Sequence, residues 1–234
     1  MELLAQNIFV SYGRGDILKD VNICLKTGEW VSLIGANGAG KSTLLHTIAN
    51  WNFAQKSGEI TLNGIKCTNS KSEIILVPFP SDLPDFLLGK ELIEIIIRER
   101  GAQLIENWSN ILAALDGDVW MDRAIGELSW GTQKKVCIAS ALCSGPDFIL
   151  LDEAFDGLDA QSSSKIRNIF YNLIKDSKIG ILNASHAWES VFADSNRIYF
   201  LKNGNIINEL HHDEFADLKD EAKKIEQRVF EIFK

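Results

Sequence analysis

Residues 35–43 read Gly35-Ala36-Asn37-Gly38-Ala39-Gly40-Lys41-Ser42-Thr43, a fit to G-x-x-x-x-G-K-[ST]. The run before it, Trp30-Val31-Ser32-Leu33-Ile34, has the composition of a buried strand. After it, residues 42–49 carry Leu44, Leu45, Ile48 and Ala49 at helical spacing, starting where Ser42 and Thr43 offer capping hydroxyls. A glycine loop between strand and helix is a narrow constraint on fold, because its backbone N–H groups and the positive end of the helix converge on one anion. A chance match in a chain of this length and average composition is about one in a hundred. The spacing therefore predicts a nucleoside triphosphate site formed by Gly35, Asn37, Gly38, Ala39, Gly40, Lys41, Ser42 and Thr43. Lys41 would span the β- and γ-phosphates and the Ser42 hydroxyl would ligate Mg²⁺.

The rest of the chain alternates in the way such a loop requires. Strands are predicted at residues 8–10, 21–25, 30–34, 58–64, 74–77, 148–151, 179–182 and 198–201, with an Asn63-Gly64 hairpin turn closing the fourth. Prolines 78, 80 and 84 interrupt the pattern. A helical stretch follows over residues 89–115, then helices near 131–143 and 160–175. Strands separated by helices imply an α/β fold with a parallel sheet covered on both faces. The tail after His211 is charged and helical, with Phe215, Leu218, Ala222, Ile225 and Val229 as its apolar positions. At 234 residues with 46% hydrophobic side chains the chain can bury a core without disulfide or metal, and Cys24, Cys67, Cys137 and Cys143 lack ligand spacing and read as buried thiols.

A phosphate loop calls for acids at the end of another core strand, and Ile149-Leu150-Leu151-Asp152-Glu153 supplies them. Asp152 would hold Mg²⁺ and Glu153 would polarise a water for attack on the γ-phosphate. Which phosphate-loop family this is depends on residues elsewhere. Leu128-Ser129-Trp130-Gly131-Thr132-Gln133-Lys134-Lys135 resembles the LSGGQ-type signature of ATP-binding cassette (ABC) ATPases, and Asp152-Glu153 follows at that family's spacing. Four more elements match it: Tyr12 the adenine-stacking aromatic, Gly157-Leu158-Asp159 the dimer-facing aspartate loop, Ser185-His186 the switch histidine, and Gly204 after the last core strand.

The resemblance covers residues from about 8 to 207. It implies a single ABC ATPase domain over residues 1–234: a RecA-like P-loop NTPase core with an antiparallel β subdomain, an inserted α-helical subdomain near residues 83–130, and a helical tail near 211–234. It also implies a head-to-tail dimer, a homodimer or a heterodimer with a similar cassette, holding two ATP molecules with Mg²⁺. Ser129 and Gly131 would face the γ-phosphate on the opposite subunit, and His186 would position the attacking water together with Glu153.

Three positions depart from the family pattern. Pro78-Phe79 stands where Pro-Gln is usual, which predicts slow basal turnover, with Asp82 as a candidate substitute ligand. Trp130 and Thr132 are bulkier than the usual signature residues, and Ala154 replaces proline.

Partner class is also constrained. No apolar run approaches the roughly 20 residues of a membrane-spanning helix, and the N-terminus lacks a secretory pattern. The expectation is a cytoplasmic protein, peripheral on the inner face of the cell membrane, driving a separate transmembrane permease subunit. The run Leu87-Leu88-Gly89-Lys90-Glu91-Leu92 resembles exporter-type cassettes and favours export. The alternative is a soluble cassette clamping a cluster-assembly, translation or repair factor, although the paired cassettes or long coiled coil of such members are missing here. A GTPase lacks its Asn-Lys-x-Asp base-reading motif, and a net charge of −8 argues against nonspecific nucleic-acid binding.

Overall fold

The computed structural model describes residues 1–13, 15–50, 55–67, 72–106, 108–176, 178–218 and 222–234. In chain order it places β1 (Glu2–Ser11), β2 (Asp16–Lys26), β3 (Trp30–Ile34), α1 (Lys41–Ile48), β4 (Gln55–Leu62), β5 (Ile65–Lys66) and β6 (Ile74–Leu76). Then come α2 (Gly89–Arg100), α3 (Trp108–Ala114), α4 (Gly117–Trp120), α5 (Trp130–Cys143), β7 (Phe148–Asp152), α6 (Ala160–Lys175) and β8 (Gly180–Ser185). The chain closes with α7 (Trp188–Asp194), β9 (Arg197–Lys202), β10 (Asn205–His211), α8 (His212–Phe215) and α9 (Ala222–Phe233).

Two sheets result. The first is antiparallel, in the order β2-β1-β4-β5. The second runs β10-β9-β3-β8-β7-β6, parallel throughout except for β10 at its edge. Every residue of β3, β7 and β8 is buried, the pattern of parallel strands covered on both faces. Alternation along β7 sends Ile149 and Leu151 toward α5, α6 and the helices between β6 and β7, in a cluster with Trp30, Trp120, Val136 and Phe170. Phe148 and Leu150 face the other way, joining Leu44 of α1 and Leu3, Ile8 and Val21 of the antiparallel sheet. A third cluster sits under α7 and α9, where Phe192, Phe200, Ile225 and Val229 meet.

The predicted hairpin is present: Asn63 and Gly64 take φ of 48° and 76° and join β4 to β5. The helical stretch 89–115 is broken, because Gly101 adopts a left-handed C-cap (φ 63°) that ends α2. At that end Arg100 donates to the carbonyls of Ser72 and Ile74, covering the edge of the parallel sheet. Of the tail's apolar positions, Phe215, Ile225 and Val229 are buried, while the side chains of Leu218 and Ala222 lie outside the described ones. Among the described residues no helix is long and apolar enough to cross a membrane.

Of the four cysteines, Cys137 and Cys143 are buried whereas Cys24 and Cys67 are half-buried, which narrows the expectation of four buried thiols. Burial pushes the Cys137 and Cys143 thiols up to about 12. At pH 8 only about one molecule in ten thousand then carries either thiolate. A thiol reagent at that pH should leave both unmodified in the folded protein and label both in urea, with labelled positions read by peptide mass spectrometry. Packing makes a second prediction. A methyl group on Gly89 would lie 2.5 Å from the ring and 2.7 Å from the carbonyl oxygen of the fully buried Trp120. Gly89→Ala should therefore cost about 1–3 kcal/mol, read from the midpoint of urea unfolding.

Candidate functional site

Strand register assembles the site. β3 pairs with β8 so that Ile34 lies level with Ser185, and β8 pairs with β7 so that Ala184 lies level with Asp152. The three strands point the same way, so residues 35–43, Asp152-Glu153 and His186 leave the sheet side by side.

The loop itself follows from its glycines. Gly38 and Gly40 take φ of 79° and 112°, which other residues adopt only with strain, and the Ala39 N–H closes a turn onto the Ala36 carbonyl at 3.0 Å. Gly204 braces the loop from behind: its N–H donates to the Ala39 carbonyl at 3.1 Å and its carbonyl accepts from the Lys19 N–H at 2.8 Å. A side chain at Gly204 would sit 2.2 Å from the Ile17 carbonyl oxygen, so only glycine fits between loop and β2. Ala36, Asn37 and Gly38 are exposed, as is Ser42 on the first turn of α1, while Thr43 is half-buried.

A cavity of about 310 Å³ opens above this loop, lined by Ile17, Ala36 to Gly38, Gly40 to Thr43, Asp152 and Glu153. Lys41 is 6% exposed; its ammonium donates to the Gly35 carbonyl at 2.8 Å and lies 3.7 Å from Glu153 Oε1. Glu153 Oε2 meets His186 Nδ1 at 3.0 Å. Asp152 Oδ2 is buried with no hydrogen-bond partner among the described residues. An orphaned carboxylate oxygen beside an exposed hydroxyl is a donor set that a hard divalent cation satisfies. Glu153 also has a left-handed backbone (φ 46°), an uncommon state for this residue type and one that clusters at functional sites. A larger cavity of about 620 Å³ lies on the His186 side of the loop, bounded by Trp188, Leu201 and Phe233, and lacks the Lys41 and acidic groups.

The other predicted residues are placed differently. Tyr12 sits exposed between β1 and β2 and does not line the 310 Å³ cavity. Asp82 is exposed after the turn at Phe79 and does not line it either. Ser129 caps α5, its Oγ accepting from the Thr132 N–H at 3.3 Å, so the hydroxyl is engaged within its own chain. Gly131 faces the 153–159 loop: a methyl group there would lie 3.4 Å from the Gly157 carbonyl oxygen. Trp130 packs on the same loop and fits because Gly157 has no side chain. Asp159 caps α6, accepting from the Ser162 N–H at 2.8 Å and Oγ at 2.6 Å, and these bonds hold its carboxyl below the usual range. Ser129, Gly131 and Asp159 thus lie off the phosphate-loop cavity of their own chain.

Two neighbours of the acids were not read from the sequence. Asp156 Oδ2 lies 3.9 Å from His186 Nδ1, so a second carboxylate flanks the imidazole. Lys134, buried on α5, donates to the Glu153 carbonyl at 2.8 Å. The only sequence signal for it was a cation among the apolar positions of a helix.

Comparison with known proteins identifies the family. Residues 18–156 match the family described as ABC transporter. The ribose import ATP-binding protein RbsA of Oceanobacillus iheyensis is 29% identical over 87% of the chain, which spans 43% of that protein's length. A probable ABC transporter ATP-binding protein of Cyanophora paradoxa is 33% identical, with 81% of each chain covered. Among solved structures, the dimeric ATP-binding cassette MJ0796 in a post-hydrolysis state with ADP and Pi superposes with a TM-score of 0.78 at 26% identity, covering 90% of this chain and 98% of that one. The fold is thus the RecA-like α/β core of the P-loop cassettes, and the chain belongs to the ABC transporter family of ATP-binding, ATP-hydrolysing proteins.

Proposed function

We propose that this chain is the ATP-hydrolysing subunit of a transporter whose membrane-spanning part is a separate permease, and that it works at the inner face of the cell membrane. Supporting this reading is one observation above all: the phosphate loop and Asp152-Glu153 line one cavity, with His186 in contact with Glu153 beside it. Residues 35–43 wrap the triphosphate with backbone N–H groups, and Lys41 turns from the Gly35 carbonyl to the β- and γ-phosphates. Ser42 and Asp152 would hold Mg²⁺, and the buried Asp152 carboxylate without a hydrogen-bond partner among the described residues supports that role. When bound there, the ion would supply neutralisation of charge that develops on the transferring phosphoryl group. Glu153 is the general base for the attacking water, and His186 holds Glu153 through Nδ1 while hydrogen-bonding the γ-phosphate. Tyr12 stacks on adenine. Phe79, half-buried and without an amide, leaves hydrolysis slow in the absence of a partner.

The residues that do not line the cavity of their own chain complete the reading as a dimer. Ser129 and Gly131, at the positive N-terminus of α5, and Asp159 face the nucleotide held by a second copy or a similar cassette. The MJ0796 cassette is a dimer in its solved form. The export direction expected from residues 87–92 finds no support among these relatives, one of which is named for import, and the proposal is of transport without a direction.

Two variants test the reading. Lys41→Ala should weaken ATP binding by roughly ten- to a hundredfold or more, the worth of a charge-assisted contact, in a titration calorimeter. Glu153→Gln should keep ATP, lose hydrolysis by about 10²–10⁴-fold and elute from gel filtration as a dimer in Mg-ATP. A monomer at saturating nucleotide would refute the interface.

A further inference from the structure

The backbone of Glu153 is held at three points. Its N–H donates to the Ala184 carbonyl at 3.0 Å, and its own carbonyl accepts from the Asp156 N–H at 3.2 Å and from the Lys134 ammonium at 2.8 Å. The first two bonds are local to β8 and the 153–156 turn. The third crosses from α5, the helix that Ser129 caps five residues before Lys134. Lys134 is 5% exposed, and it borders a small cavity of about 10 Å³ that Phe79 and Asp152 also line.

We infer that Lys134 is a positioning residue: its hydrogen bond to the Glu153 carbonyl holds that residue in its left-handed backbone conformation and ties the aim of the carboxylate to the N-terminal end of α5. The inference rests on Glu153 being the general base, as proposed above. A side chain leaves its Cα in a direction fixed by the peptide planes on either side, so a rotation of the 153–154 plane would swing the carboxylate away from His186 and Lys41. Left-handed backbone is disfavoured for glutamate, and without a tether the chain relaxes toward the common regions. Burial draws the Lys134 ammonium below the ordinary lysine value, against the pull of Asp156 and Glu153. A buried cation is a costly way to fill space, and an apolar side chain of similar volume would serve the helix packing at least as well. The bond to Glu153 is what the ammonium provides and methionine cannot. Because α5 begins at the residues proposed to meet the second copy's triphosphate, the same bond gives that contact a route to the general base.

The test compares Lys134→Met, similar in volume without a donor, with Lys134→Gln, whose amide can still donate. Mg-ATP affinity and kcat are measured beside wild type and Glu153→Gln. Lys134→Met should bind ATP within about twofold of wild type and lose about tenfold or more in kcat, and Lys134→Gln should return kcat to within about threefold of wild type. Wild-type kcat in Lys134→Met, a loss of affinity as large as the loss of kcat, or a Lys134→Gln as slow as Lys134→Met would each overturn the inference. If Lys134→Met does not fold, Lys134→Ala is read against the same thresholds, and failure of both to fold would make Lys134 a stability element and overturn it as well. Unimpaired hydrolysis in Glu153→Gln would instead show that the assignment of Glu153 had failed, a result separable from any behaviour of Lys134.

Discussion

The parallel register of β7, β8 and β3 is the constraint on which the site depends. Side chains alternate with a period of two along a strand, so a slip of one residue in either pairing would send each side chain into the cluster on the opposite face. It would also shift the end of one strand by about 3.3 Å relative to the next. The 3.0 Å bond between His186 and Glu153 and the 3.7 Å approach of Lys41 to Glu153 leave no room for such a slip. The apolar side chains fix the register: Ile149 and Leu151 on one face and Phe148 and Leu150 on the other are all fully buried, in separate clusters. Burying one such side chain is worth about 1.5–3 kcal/mol, so the four together contribute an amount comparable with a domain's whole margin of stability. The geometry of the polar groups is thus set by groups that take no part in the chemistry.

Around that register the structure tolerates local strain where the site needs it. Glu153 keeps a left-handed backbone, Asp152 keeps a buried oxygen without a partner, and Gly204 sits where any side chain would strike the Ile17 carbonyl. Such features persist only where the surroundings over-determine them. Here the surroundings are β8, which accepts the Glu153 N–H, and α5, which supplies Lys134. Phe79 is legible in the same frame: it lines the small cavity shared by Lys134 and Asp152, so the position where the family usually has an amide is filled by a ring, beside a cation supplied by α5.

Much of this was legible in the chain. The glycine loop between strand and helix, the acids after an apolar strand and the Asn63-Gly64 hairpin are each local, and local patterns survive translation into structure. α7 and β10 were missed although signals existed: Trp188, Val191 and Phe192 have helical spacing, and Asn203-Gly204 is a hairpin turn of the same kind as Asn63-Gly64. The stretch 89–115 was read as continuous because its apolar period runs past Gly101, whose left-handed cap competes with propensity. Lys134 and Asp156 could not be found by pattern. Their meaning lies in contacts across 19 and 30 positions, with Glu153 and His186, and no spacing rule reports those.

Ser129 and Asp159 were assigned to a second copy's nucleotide, yet in the single chain both are helix caps, and the two roles compete to different degrees. The Ser129 Oγ accepts from the Thr132 N–H at 3.3 Å, beyond the usual range for such a bond, and shares a 2.9 Å contact with the Thr132 hydroxyl. Its release forfeits at most the worth of one N-cap, about 1 kcal/mol, and an anion arriving at the same helix end restores what the N–H groups lose. Asp159 is held by two short bonds from Ser162 to an ionised carboxylate, the stronger kind. Ser129 can therefore leave its cap for a phosphate, whereas Asp159 serves an interface best by staying where it is. Its carboxylate would present the 157–159 turn as a fixed shape, with Trp130 packed against Gly157 to keep the signature turn and this loop moving as one surface.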